Sequence, residues 1–193
     1  MRVLIACEES QAVCKAFRAK GHMAYSCDIL PTRGNPDYHI KGDIVTLLKA
    51  HRDKYWDLTI LHPDCTKMAV SGNRWYGSGS LRHNERLEAV RWTKSLWQLA
   101  KYKSKSACLE NPVSVIFSEL GYDSLQYIQP WMFGHGETKK TGLALFNLPE
   151  LEPTDIVEGR EHRIWKMPPG PNRKRDRSET FPGIAKAMAE QWG

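Results

Sequence analysis

The chain has 193 residues, of which 41% are hydrophobic and 26% charged, with a formal net charge of +6. That balance excludes a disordered chain, and the length suits one compact domain with a core large enough to need no covalent staple. No apolar run is long enough to span a membrane, and the excess of positive charge favours a polyanionic partner.

Residues 2–7 read as a short buried strand. Residues 10–20 follow as an amphipathic helix with Ser10 as its N-cap and Gly21 as its stop. Residues 22–27 form a second strand that ends at Asp28. This strand–helix–strand opening is the start of a doubly wound α/β sheet. Residues 31–39 read as loop. Gly42-Asp43-Ile44 then precedes a short helix over 45–51. A third strand, 57–61, runs directly into His62-Pro63-Asp64-Cys65. A glycine-bearing loop over 71–80 contains Arg74, Trp75 and Tyr76. A long amphipathic helix covers 84–101, and a fourth strand, 107–109, ends at Glu110-Asn111-Pro112. Residues 127–133 and 142–146 read as an antiparallel hairpin. The segment 149–178 shows little periodicity, and 183–192 reads as a final helix. The expected fold is therefore a doubly wound, mostly parallel Rossmann-like sheet with a terminal antiparallel hairpin. It forms one domain, 1–193, with a candidate recognition segment at 149–178.

The five cysteines are odd in number and scattered, which argues against a disulfide framework and for a reducing compartment. His62 and Cys65 form a lone HxxC without a second ligand pair, so no metal site is expected. Nothing in the first residues reads as a signal peptide. The expectation is a cytoplasmic protein, monomeric by default and not membrane-bound.

The strands of the first half end in Glu8, Asp28, Asp64-Cys65 and Glu110. Ligands of open α/β sheets bind outside the carboxyl ends of the strands. Cys65 taken alone reads as a small buried filler, the commoner fate of such a cysteine, before it reads as a thiolate nucleophile. Glu110 taken alone is as compatible with a solvated strand-end acid as with a proton donor. Asn111, held extended by Pro112, presents Glu110 at its strand tip. Together a thiol and a carboxyl suit attack on an electron-poor heterocycle. Thiolate addition to C6 of cytosine, with protonation at N3, turns C5 into an enamine carbon able to accept a methyl group.

Pro63-Asp64-Cys65 and, later, Glu110-Asn111-Pro112 resemble the Pro-Pro-Cys and Glu-Asn-Val strand ends of the DNA (cytosine-5) methyltransferases, especially compact phage and prophage members. The resemblance implies methyl transfer to C5 of cytosine through a covalent Cys adduct. Cys65 would be the nucleophile, Glu110 the acid at N3, and Arg86 the arginine of the segment after the mobile catalytic loop. It implies S-adenosylmethionine as cofactor, held by Ala6 and Glu8 after the first strand, Asp28 and Ile29 after the second, Asp43 and Ile44, Pro63, and Pro182 in the returning C-terminal motif. DNA, duplex or single-stranded, would be the partner. Ser71, Arg74 and Trp75 of the loop, Lys139 and Lys140 before the last strand, and Arg175 of the basic cluster would contact it. The location would be the host cytoplasm for a phage-encoded protein. The turn Ala6-Cys7-Glu8-Glu9-Ser10 lacks the family's glycines, and Asp64 stands where the family has its second proline. Two other readings remain open: another pyrimidine-C5 modifying enzyme with the same Cys/Glu pair, and a nucleic-acid-binding protein with a degenerate site.

Overall fold

The computed structural model describes residues 1–193 as a seven-stranded sheet flanked by helices. The strands are β1 (Arg2–Ala6), β2 (Met23–Asp28), β3 (His39–Lys41), β4 (Trp56–Leu61), β5 (Ser104–Pro112), β6 (Ser124–Ile128) and β7 (Thr141–Phe146). Their spatial order is β3-β2-β1-β4-β5-β7-β6. The first five pair in parallel, and β7 runs antiparallel to both β5 and β6. This is the doubly wound, mostly parallel sheet with a terminal antiparallel pair that the sequence predicts. The helices are α1 (Ala12–Ala19), α2 (Ile44–Ala50), α3 (Asn73–Tyr76), α4 (His83–Lys103), α5 (Arg163–Lys166), α6 (Arg173–Ser178) and α7 (Pro182–Gln191).

The strand composition explains why both faces are covered. Along β1, Val3 and Ile5 join the cluster with Val13 and Phe17 of α1 and Ile184 and Met188 of α7. Leu4 and Ala6 join the opposite cluster with Leu48 of α2 and Leu96 and Trp97 of α4. All four strand residues are fully buried. A strand apolar on both faces is what a parallel sheet between two helical layers requires. Each large side chain buried in this way contributes roughly 1.5–3 kcal/mol.

Several local expectations are corrected. β3 lies where a loop was expected; it is only three residues long, too short for a periodic signal, and is recruited by pairing with β2. The sixth strand runs over 124–128 rather than 127–133, because Pro130 cannot supply a ladder donor and opens a 3₁₀ turn, Pro130–Met132. The loop over 71–80 contains α3, and the aperiodic segment contains α5 and α6. Ser10 is not the N-cap of α1. Gln11 takes that position in the left-handed region and offers no side-chain cap. The Ser10 hydroxyl accepts from Ala12 N–H at 3.2 Å, while the Glu8 carboxylate accepts from Val13 N–H at 2.7 Å and Cys14 N–H at 3.2 Å.

The C-terminal helix is fitted against the chain without slack. A Cβ at Gly183 would lie 1.8 Å from the Phe133 carbonyl oxygen and 3.0 Å from His135 Nε2. Gly170 has nothing within 4 Å of the same construction. Gly183→Ala is expected to lose about 2–4 kcal/mol of unfolding free energy in urea titration, and Gly170→Ala to change it by less than about 1 kcal/mol.

Candidate active site

The carboxyl edge of the parallel sheet collects the chemistry-bearing residues. Leu61 of β4 pairs with Leu109 of β5, which sets the next residues, His62 and Glu110, side by side. His62 Nδ1 lies 3.1 Å from Glu110 Oε2, with the two side chains retaining only 10% and 12% exposure. The His62 backbone N–H donates to the Ala6 carbonyl at 2.9 Å, so the strand end is anchored to β1 as well. Asn111 Nδ2 donates to the Pro63 carbonyl at 3.0 Å, binding the cysteine loop to β5.

After Pro63 the chain turns. The Cys65 carbonyl accepts from Met68 N–H at 3.0 Å and Ala69 N–H at 2.8 Å. Met68 and Val70 are in turn bonded to Val115 and Val113 beyond β5. Arg86 is buried on α4 and spends its guanidinium on this loop: Nε donates to the Lys67 carbonyl at 2.7 Å and an Nη to Asn73 Oδ1 at 2.8 Å. A catalytic role was expected of Arg86. With these donors engaged and the side chain 6% exposed, it is instead a brace for the loop that carries Cys65.

Three charges act on Cys65. Burial pushes its thiol up, Glu110 and Asp64 push it further, and Lys139 opposes them. Burial pushes the Glu110 carboxyl up too, but the His62 hydrogen bond and the Lys139 charge outweigh it and leave Glu110 below the ordinary carboxylate range. Lys139 thus faces both groups, and its Nζ donates to the Glu179 carbonyl at 3.2 Å. Lys140 is exposed over the Tyr127 ring, 4.6 Å from its centroid. Asp64 takes Thr66 N–H at 2.9 Å and Thr66 Oγ1–H at 2.6 Å on one oxygen and Lys174 of α6 at 2.9 Å on the other. Burial pushes Asp64 up, yet these partners hold it below its ordinary value.

On the β1–β2 side the turn meets its need for positive φ without glycine. Cys7 and Gln11 both adopt φ of 60°. A non-glycine residue there carries strain, which the surroundings must hold. Cys7 N–H donates to the Cys27 carbonyl at 2.7 Å. The Gln11 amide is buried, donating to Ser26 Oγ and the Asn35 carbonyl and accepting from Asn35 N–H. Glu8 was expected among the cofactor contacts. Its carboxylate caps α1 from inside the fold and is 6% exposed, so it is no open ligand. Burial pushes the Cys7 thiol to about 12, with Asp28, Cys27, Asp43 and Asp64 adding to it.

The other sequence-predicted residues fall into two groups. Asp28, half-buried, and Ile29, 71% exposed, end β2 at this edge. Asp43 caps α2 through Thr46 N–H at 2.8 Å, Ile44 points into the core, and Ala6 and Pro63 are buried. Pro182 opens α7 on the surface. Ser71 and Arg74 are exposed, Trp75 is 58% exposed, and the Arg74 guanidinium lies 5.2 Å from the Trp75 ring. Arg175 pairs with its neighbour Asp176, whereas Lys174 reaches the cysteine loop. Two residues at the site were not anticipated, His62 and Lys174. His62 had a signal in the two strand ends, since a parallel pair with aligned apolar runs sets the residues that follow them abreast. Lys174 had a signal only as a member of the basic run 173–177, because its contact with the cysteine loop depends on where an aperiodic segment folds. No group of three His, Cys, Asp or Glu side chains is placed to hold a metal ion, and no helix is long and apolar enough to cross a membrane.

No family model matches the chain, and no curated protein matches it. Among solved structures it is similar to an Escherichia coli prophage-encoded putative DNA modification methyltransferase, with 11% identity over 82% of this chain and 52% of that one, at a TM-score of 0.48. It is similar to the Entamoeba histolytica methyltransferase EhMeth, with 12% identity over 84% and 57%, at 0.49. It is also similar to the Schizosaccharomyces pombe Dnmt2 methyltransferase, with 16% identity over 86% and 53%, at 0.48. The chain spans a little over half the length of each.

The charges around Cys65 set its reactivity. Removing the Glu110 or Asp64 charge lowers the thiol's pKa and raises the thiolate fraction, and removing Lys139 does the reverse. Iodoacetamide labelling at pH 7.5, mapped to Cys65 by peptide mass, is expected to be faster in Glu110→Gln and Asp64→Asn and slower in Lys139→Ala than in the unaltered chain. The opposite ordering would contradict the geometry.

Proposed function

We propose that the protein transfers a methyl group from S-adenosylmethionine to C5 of cytosine in DNA through a covalent adduct on Cys65. The observation that carries this reading is the convergence of Cys65 and Glu110 from adjacent parallel strands, with Lys139 facing both. A nucleophile and a carboxyl fixed at one sheet edge meet the demands of adding to C6 while handling a proton at N3.

Cys65, as the thiolate, forms the bond to C6, its proton having gone to solvent. Glu110 meets N3, and Lys139 steadies both anions by charge. Once C5 has gained the methyl group that a bound sulfonium donor would supply, loss of the C5 proton to solvent and breaking of the C6–S bond restore the pyrimidine. The target base must be presented outside a stack. Exposed Trp75 with Arg74, on the helix that follows the cysteine loop, offers a stacking face and a phosphate partner. Ser71, Lys140 and Arg175 are exposed or half-exposed donors for the same strand.

The residues at this edge fit the cofactor in most respects. Asp28, Asp43 and Asp64 surround Cys7 with negative charge, which suits a sulfonium cation. Asp28 and exposed Ile29 suit a ribose diol and an apolar base face, with Asp43 beside them. When bound, the cofactor supplies an electrophilic methyl group. The start of α1 fits a bound carboxylate poorly, because Glu8 already occupies its N–H groups. That one observation favours a second reading, another C5-modifying reaction with the same Cys/Glu pair and a different donor.

The test is a DNA oligonucleotide carrying 5-fluorocytosine, incubated with protein and S-adenosylmethionine. Fluorine cannot leave as a proton does, so a covalent adduct is expected, mapping to Cys65 and absent in Cys65→Ala. Adduct that forms with no dependence on S-adenosylmethionine would favour the second reading. Failure to form any adduct across varied sequences would reject both.

A further inference from the structure

His62 sits beside Glu110 at the sheet edge, and the proposed reaction leaves it without a task. Its Nδ1 is on Glu110 Oε2 at 3.1 Å, and nine-tenths of the side chain is buried. Its other ring nitrogen, Nε2, is buried with no hydrogen-bond partner. Its backbone is fixed through Ala6 and through the β4 pairings, so the ring cannot drift from Glu110. The charged and titratable groups facing it are Glu110 from β5 and Glu8 from the turn after β1; Lys139 stands beyond Glu110, with Asp64 and Cys65 on its own loop. A carboxylate held ionised by these neighbours accepts hydrogen bonds but has no proton to give a base.

We propose that His62 is a positioning residue that stores the proton Glu110 delivers to N3 of the target cytosine. The proposal rests on the reaction described above. The pair shares one labile proton, between His62 Nδ1 and Glu110 Oε2, while Nε2 keeps the second ring proton, so that the ring giving up the Nδ1 proton is left as neutral imidazole. As the Cys65 thiolate adds to C6, the Nδ1 proton passes to the carboxylate and the carboxyl gives a proton to N3. His62 is then neutral and Glu110 is again a carboxylate. When C5 has gained its new substituent (a methyl group, or a solvent proton in exchange), its original proton leaves to solvent, the C6–S bond breaks, and N3 returns its proton by the same path. The pair ends as it began.

The experiment measures tritium release from DNA containing [5-³H]cytosine, because the C6 adduct lets C5 exchange with water without any methyl transfer. His62→Asn keeps an N–H near the Nδ1 position but has no proton to give. In His62→Asn and His62→Ala the release rate at neutral pH is expected to fall by roughly a hundredfold. KM for the DNA should stay within about twofold of the unaltered value, as expected when a proton-transfer step rather than binding is lost. If Asn is not accommodated, as judged by thermal melting, His62→Gln is used with the same expectations. His62→Asn with the unaltered release rate, or with a loss carried by KM alone, would overturn the proposal and leave His62 a structural support. An unaltered protein that releases no tritium from any cytosine-containing DNA would instead overturn the reaction itself, and this inference with it.

Discussion

The parallel pairing of β4 with β5 is the constraint on which the site depends. It forces the two strands to end on the same side of the sheet, and the Leu61–Leu109 register fixes which residues come next. His62 and Glu110 are therefore abreast before any side-chain preference is considered. Pro63 and the Asn111 hydrogen bond then turn the chain so that Cys65 follows within one short loop. A shift of one residue in that register would send the apolar residues of β5 to the wrong faces of the sheet. The core that stabilises the fold therefore also fixes the site.

The electrostatics follow from that placement. Cys65 is half-buried beside two carboxylates, and a partly desolvated thiol next to anions resists ionisation. Lys139 offsets this, arriving from the connection between the two antiparallel strands. The edge is thus assembled from both halves of the chain: strand ends of the parallel half supply nucleophile and acid, and the antiparallel half supplies the cation. Lys174 adds a further cross-link from α6 to Asp64. An anion approaching this surface would compete with Asp64 for the same ammonium group.

Much of this was legible in the sequence because it was written in local patterns. Apolar runs closed by Asp28 and by His62 marked two strands and their ends; the run 107–109 marked a third but not its extent, because β5 spans Ser104–Pro112 and its end is held by pairing with β7. The long helix carrying Leu96 and Trp97 was equally plain. Three features were hidden for physical reasons. β3 is too short to show periodicity and exists through pairing. Glu8 looked like an open acid at a strand tip, but its role as the cap of α1 depends on the φ of 60° at Cys7 and Gln11, which no residue type there announces. Arg86 carried the right residue for chemistry, and only its hydrogen bonds to the loop reveal it as a brace.

The central claim is that this edge methylates cytosine at C5. The most direct measurement is incubation of the purified full chain with S-adenosylmethionine and mixed-sequence DNA, duplex and single-stranded, followed by digestion to nucleosides and mass spectrometry. The account predicts 5-methyldeoxycytidine as the methylated product. Methylation only at an exocyclic amine, or no methylated nucleoside at all, would contradict it.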